Sequence, residues 1–218
     1  MNDIAALVDG ENNVLSELGL RLENEILRDS LGNILLNAAP VIGTVNFPCP
    51  EQWPSELEWF LTKYVRHCRS VLEIGSGPGG MFAHLVTNIE KGSVARAISL
   101  PRFQPEADSL RLCIAQLRAW DFNVGWFNGD SSSAEAMAWA KAAGPYDLVF
   151  IDGDHTAEAV RLDWENYSPM ATKFVAFHDI DHIGDDVGVV WAELKSEGYV
   201  TDEIISHPGF RGLGVVLR

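Results

Sequence analysis

Basic residues, long apolar runs and cysteines are all scarce in this chain of 218 residues. Sixteen Lys and Arg face 31 Asp and Glu, for a formal net charge of −15. A nonspecific grip on a nucleic-acid backbone would work against repulsion from the whole molecule, so no nucleic-acid partner is expected. No stretch approaches the roughly 18 to 20 consecutive apolar residues that a membrane helix needs. The opening, MNDIAALVDGENN, is acidic where a secretory leader is basic and then apolar. These absences together point to a cytoplasmic protein with no membrane partner. The three cysteines, Cys49, Cys68 and Cys113, are odd in number and none are paired at metal-ligand spacing. They read as reduced filler rather than as a disulfide frame or a zinc site. What remains is an ordinary globular composition, 47% hydrophobic and 22% charged, which can bury a sizeable core.

The chain divides at the Pro-rich segment between Pro40 and Pro54 into an N-terminal extension, residues 1–54, and a main domain, residues 55–218. Before the division, Leu15, Leu18, Leu22 and Ile26 recur at helical spacing in an acid-rich stretch from Asp3 to Asp29, which predicts one or two amphipathic helices. After it, Ser55 with Glu58 forms a capping-box pattern, and Leu57, Phe60, Leu61 and Tyr64 line one helix face. From Ser70 onward, short apolar runs alternate with amphipathic stretches, as in helices covering a mostly parallel sheet. The runs are Val71 to Ile74, Val94 to Leu100, Val124 to Phe127, Leu148 to Ile151 and Phe174 to Phe177. Helices are expected near Gly80 to Asn88, Ser109 to Trp120, Ala134 to Ala143 (after a Ser132/Glu135 capping box), Thr156 to Tyr167 and Val187 to Glu197. Tyr199 to Ile205 and Leu213 to Leu217 have no helix between them and should pair antiparallel. The expected fold is α/β: a Rossmann-like, doubly wound, mostly parallel sheet with an antiparallel C-terminal hairpin, helices on both faces and an N-terminal helical extension.

In an open parallel sheet, ligands bind beyond the carboxyl ends of the strands, where strand order reverses. Here those ends carry Glu73 to Gly80, Gly129-Asp130-Ser131, Asp152-Gly153-Asp154-His155, and His178-Asp179. Gly75, Gly77 and Gly80 fit G-x-G-x-x-G between a strand and a helix. Four glycines among six residues would be costly chain entropy for a mere turn, which favours a loop that holds a ligand. NAD(P) and S-adenosylmethionine both use such loops. A pyrophosphate favours a helix N-terminus with few acids nearby, whereas Glu73 and Asp152 flank this loop. The acids favour a ligand carrying an ammonium and a sulfonium.

The motif VLEIGSGPGG, the GDS after the third strand and the closing hairpin together resemble the class I S-adenosylmethionine-dependent methyltransferases, over about Ser55 to the C-terminus. A narrower resemblance lies in YDLVFIDGDHTAEAVRLDWENYSPMATKFVAFHDI, Tyr146 to Ile180. It is similar to the small-molecule O-methyltransferase group that includes the macrocin and mycinamicin type, and to the related cephalosporin hydroxylases. The resemblance implies that Glu73, Gly75, Ser76, Gly77, Gly80 and Met81 hold the methionine end of S-adenosyl-L-methionine, with Ser99 toward the ribose. Asp130 and Ser131 take the adenine side. It also implies a divalent metal, Mg²⁺ first, on Asp152 and Asp179. His178, which stands where relatives often have another acid, is the candidate third metal ligand, and His155 serves as general base beside Asp152. The acceptor would be a small hydroxylated molecule, a sugar or a natural product. Methyl transfer to such a hydroxyl benefits from a Lewis acid and a base.

Plainer roles compete at several positions. Asp154 is as readily a helix cap as a ligand. Asp163 and Glu165 read as a solvated helix face, and Asp181, Asp185 and Asp186 as an acidic loop that can close over the metal. Trp139, Trp164 and Trp191 read as core, whereas Trp53 is placed to touch substrate. His67, His84, His182 and His207 belong to no constellation. The second strand ends in Ser99, where an acid usually binds the ribose hydroxyls; Glu106 or Asp108 would have to reach back. Arg96 or Arg102 suits a 2′-phosphate and keeps an NADP reductase open. Two further alternatives are a hydroxylase of the cephalosporin hydroxylase type and a binding or assembly protein on a decayed methyltransferase fold. The segment from Val41 to Trp53, with the N-terminal helices, is expected to form a lid or a homo-oligomer contact.

Overall fold

The computed structural model describes residues 52–90 and 92–218, together with the backbone of three short strands nearer the N-terminus. Those strands are β1 (Arg21–Glu23), β2 (Ile26–Arg28) and β3 (Ile34–Asn37), joined in an antiparallel sheet. Helical spacing over Leu22 and Ile26 is therefore realised as strand: Leu22 pairs with Leu27, and Glu23 with Ile26. The expected helix positions Leu15 and Leu18, the lid residues 41–51 and Cys49 lie outside the described residues.

Helix α1 (Pro54–Lys63) opens the main domain. It starts one residue ahead of the Ser55/Glu58 capping box, because Pro54 occupies the first turn, where its missing N–H costs nothing. Ser55 instead shares a 2.6 Å hydrogen bond with Ser206. Leu57, Phe60, Leu61 and Tyr64 are buried as their spacing requires.

Five strands and their helices follow in alternation: β4 (Ser70–Ile74), α2 (Gly80–Asn88), β5 (Val94–Ser99), α3 (Gln104–Ala119), β6 (Asn123–Asn128), α4 (Ala134–Ala143), β7 (Tyr146–Ile151), α5 (Ala157–Tyr167) and β8 (Ala171–His178). Helix α6 (Val187–Ser196) then leads to β9 (Thr201–Ile204) and β10 (Leu213–Leu217). The sheet runs β6-β5-β4-β7-β8-β10-β9. Its first five strands are parallel, while β10 lies antiparallel to both β8 and β9. The fold is thus the doubly wound α/β architecture the alternation predicts, and strand order reverses between β4 and β7.

Alternation along each strand sorts side chains to two cores. Val71, Ala97, Leu148 and Phe150 face the layer of α1, α2 and α3, where Phe60, Phe82 and Leu110 are buried. Leu72, Ile98, Val149 and Ile151 face the layer of α4, α5 and α6, with Ala136, Val160 and Trp191. Each such buried large side chain stabilises the fold by about 1.5–3 kcal/mol. Trp139 and Trp164 pack against the second core, as expected. Local caps set the helix starts: Ser133, not Ser132, caps α4 by accepting from the Ala136 N–H, and Thr156 caps α5 through the Ala159 N–H. Cys68 and Cys113 are buried free thiols. Among the described residues no helix is long and apolar enough to cross a membrane.

Candidate active site

The site forms where β4, β5, β7 and β8 end side by side. Ile74 pairs with both Ile98 and Ile151, and Ile151 with Phe177, so the residues following these strands emerge as neighbours. The Gly75 N–H donates to the Ile98 carbonyl and the Asp152 N–H to the Ile74 carbonyl, each at 2.8 Å. Gly75 turns with φ +87°, and a Cβ there would lie 1.9 Å from the Asp152 carbonyl oxygen. Only glycine allows the loop to press this closely on the neighbouring strand end. Gly77 and Gly79 also have positive φ, after which Gly80 and buried Met81 open α2.

Beneath this loop Glu73 is fully buried, and neither carboxylate oxygen has a hydrogen-bond partner within normal range. Burial pushes its carboxyl up to about 8, with Ser76 drawing it down and the Asp152 charge adding to the rise. The Ser76 hydroxyl, likewise buried, faces this carboxylate from beyond normal hydrogen-bond range. A buried acid left without a partner beneath a glycine loop fits a cationic ligand group, because an isolated buried carboxylate is otherwise costly.

Asp152, His155 and Asp179 bring one ligand atom each to within 4.8 Å of one another. Among the described residues this is the convergent group of metal-ligating side chains. Asp179 holds φ +59°, a left-handed conformation that is uncommon outside glycine and that turns the residue at the strand end. The His155 Nε2 lies 3.4 Å from Asp152 Oδ1, and its Nδ1 lies 3.6 Å from Asp179 Oδ2 and 3.0 Å from Asp185 Oδ2. Hydrogen bonding to Asp152 leads the causes that lift the His155 imidazole to about 9. It therefore carries a proton at neutral pH, and the base role becomes available to it only once that proton has left.

His178 does not join the convergent group. It is buried, and its Nδ1 lies 3.1 Å from Asp152 Oδ1 and 3.2 Å from Asp179 Oδ2, bridging the two acids. Burial opposes its charge, but Asp152 and Asp179 outweigh burial and lift it to about 10. The structure thus places His178, the candidate third ligand, between the two carboxylates, and the imidazole in the convergent group is His155. Asp152 is held low: burial works against its charge, but the two imidazoles prevail.

On the adenine-side motif, Asp130 is exposed and accepts from the Ser132 N–H at 2.8 Å. The Ser131 carbonyl accepts from the Tyr167 hydroxyl at 2.5 Å. Asp163, expected on a solvated face, is instead buried beneath this motif. Burial raises its carboxyl to about 6, against a lowering hydrogen bond from Ser131. A Cβ on Gly153 would lie 3.1 Å from an Asp163 oxygen, so the small residue after Asp152 makes room for this acid. The DGD of the fourth strand end, Asp152-Gly153-Asp154, was the available signal for such crowding. Asp154 accepts from the N–H of Thr156, the residue that caps α5, at 2.8 Å.

The loop after β8 is pinned by the β9–β10 loop. The Asp181 N–H donates to the Arg211 carbonyl at 2.8 Å, Gly209 N–H to Asp181 Oδ2 at 2.8 Å, and Ile183 N–H to the Gly209 carbonyl at 3.1 Å. Asp185 is thereby delivered to His155, and its Oδ2 also lies 2.8 Å from the His182 Nδ1, so His182 borders the site after all. Trp53 stacks on His207 with ring centroids 4.1 Å apart. Arg96 is engaged elsewhere, bonded to the Ala95 and Asn123 carbonyls and lying over the Trp139 ring.

Comparisons with known proteins bear on the fold and the family. Three solved structures share the fold. They are an O-methyltransferase from Bacillus cereus in complex with SAH (14% identity, 79% of this chain and 85% of that one, TM-score 0.60), the O-methyltransferase TomG from Streptomyces achromogenes, involved in tomaymycin synthesis, in complex with SAM (16%, 76% and 80%, 0.59), and cofactor-bound Rv0187 from MTB (18%, 82% of each, 0.59). No curated protein sequence matches the chain. The model of the family described as "Methyltransferase domain" matches residues 72–180, half of the chain and the whole span from the glycine loop through Asp179, and on that match the chain belongs to this methyltransferase family.

Proposed function

We propose that the protein is an S-adenosylmethionine-dependent O-methyltransferase that acts on a small hydroxylated molecule, with a divalent cation at Asp152, His155 and Asp179. The observation that carries the cofactor reading is Glu73, an acid with no partner for either oxygen, buried under a glycine loop of positive φ. S-adenosylmethionine, when bound, supplies an electrophilic methyl group on a sulfonium, and a divalent cation supplies Lewis acidity toward an acceptor hydroxyl.

The chain's own residues would divide the work. Gly75 and Gly77 let the ligand meet the backbone, and Glu73 neutralises its ammonium. Ser131 and Asp130 bound the adenine side. The Asp152 and Asp179 carboxylates offer hard oxygen ligands, which suits Mg²⁺, while the single imidazole of His155 also admits Mn²⁺. Two carboxylates and one imidazole differ from the two-histidine, one-carboxylate set typical of non-haem iron oxygenases, which favours methyl transfer over hydroxylation. His178, charged and bridging the acids, holds both carboxylates in register. As a cation ligand His155 must first give up its own proton, which the cation's charge promotes, and its one lone pair then belongs to the cation rather than to the substrate's proton.

Calorimetric titration with S-adenosylmethionine, with and without Mg²⁺ or Mn²⁺, tests the reading. Saturable binding that tightens with the cation is expected, and no heat under any of these conditions removes the proposal.

A further inference from the structure

The end of the second strand carries no carboxylate, since β5 finishes at Ser99, yet an acid lies beside the glycine loop. Glu106, in the first turn of α3, is one of the few buried charged side chains, only 7% exposed. Its Oε2 accepts from the Arg102 N–H at 3.0 Å. Its Oε1 accepts no hydrogen bond among the described residues and lies 3.5 Å from where a Gly77 Cβ would be. The two oxygens therefore serve different purposes. One fastens the helix start to the chain that leaves β5, which is the role an acid at this helix position ordinarily plays. The other is directed at the backbone of the loop.

The surrounding geometry gives this oxygen a destination. Gly75 is bonded to Ile98, so Ser99 stands beside the start of the loop, and Gly77 stands next to Glu106. Loop, strand end and carboxylate thus bound one place between the tips of β4 and β5. In nucleotide-binding sheets of this type the ribose diol lies at that position, and an acid accepts hydrogen bonds from its hydroxyls. We infer that Glu106 supplies the ribose-binding carboxylate that β5 lacks, accepting from the 2′- and 3′-hydroxyls of the adenosyl group through Oε1 and the remaining lone pair of Oε2. The Ser99 hydroxyl, at the adjacent strand end, takes a subsidiary part. The inference rests on the S-adenosylmethionine reading and adds a residue and a selectivity to it. A carboxylate at this place repels a 2′-phosphate. NADP is therefore disfavoured by the same residue that accepts the unmodified diol.

The test is a binding measurement on the full chain, independent of turnover. S-adenosylhomocysteine and its 2′-deoxy and 3′-deoxy analogues are titrated calorimetrically into the wild type and into Glu106→Gln, whose amide oxygen can still accept from the Arg102 N–H. Wild type should lose about 10- to 100-fold in affinity when a hydroxyl is removed, the usual worth of a hydrogen bond to a charged group. Glu106→Gln should weaken S-adenosylhomocysteine by a similar factor and discriminate little between parent and deoxy ligands. Wild-type binding of S-adenosylhomocysteine with undiminished affinity in Glu106→Gln overturns the inference and leaves the methyltransferase reading standing. So does a variant that weakens parent and analogues equally, which marks a merely structural role. A wild type that binds none of the ligands overturns both. If Glu106→Gln does not fold, Glu106→Asp, which keeps the charge and shortens its reach, is held to the same outcomes.

Discussion

Replacing Glu73 by Gln separates the acid's cost to the fold from its use to a ligand. Burial holds the Glu73 carboxyl at about 8, against an ordinary value of 4.5. Below the ordinary value both folded and unfolded chains hold the proton. Between the two values only the folded chain holds it, so stability falls as pH rises, by about 1.4 kcal/mol per pH unit. The loss levels off above the folded value, having reached the order of 4–5 kcal/mol. Gln keeps the volume and cannot ionise, but it buries an amide at a fixed cost of about 1–3 kcal/mol. The difference in unfolding free energy between variant and wild type should therefore change sign on moving from acid to alkaline pH. Urea unfolding from pH 5 to 9 reads this directly, and parallel curves would refute the assignment. A second readout concerns the ligand. At pH 7 about nine-tenths of Glu73 is protonated in the free protein. An ammonium seated beside it would expel that proton, so S-adenosylhomocysteine binding should release close to one proton. Calorimetry in buffers of different ionisation heat measures the release, and Glu73→Gln should abolish it.

Two other expectations follow from the same strand tips. Gly75→Ala places a methyl 1.9 Å from the Asp152 carbonyl oxygen at φ +87°, so it should destabilise the chain by at least about 3 kcal/mol and remove ligand binding. A thermal midpoint equal to that of wild type would contradict the geometry. For the cation, His155 holds its proton up to about 9, so an ion that uses its nitrogen must displace that proton. Apparent Mn²⁺ affinity in equilibrium dialysis should rise about tenfold per pH unit from 7 toward 9 and then flatten. Asp179→Asn should lose binding at every pH, and a flat profile in the wild type would exclude His155 as a ligand.

The sheet was legible in the sequence because buried parallel strands are short apolar runs and their helices are amphipathic. Strand positions and helix count in the main domain follow from that pattern alone. The glycine loop was legible for the same kind of reason, since four glycines beside a strand end have few other uses. The ends of elements were less so. Ser55 and Ser132 satisfied the capping pattern, yet the N-caps are Trp53, ahead of Pro54, and Ser133, because a local motif one or two residues out of register looks equally good. The second limit was burial. Asp163 and Glu106 sit on helices with polar neighbours, and nothing in helical periodicity says that these particular acids turn inward beneath a strand end. The third was orientation. His155 and His178 both flank the acids in sequence, and only the strand-end geometry decides which imidazole bridges the carboxylates and which one faces the group.

The hydrogen bonds that pin the loop after β8 come from Gly209 and Arg211, about thirty residues downstream. During synthesis the glycine loop and Asp152 therefore leave the ribosome well before the segment that holds the loop bearing Asp185. A nascent chain halted near Glu203 would possess the glycine loop while the loop after β8 was still untethered. The order of synthesis thus places the glycine loop ahead of the contacts that hold the loop after β8.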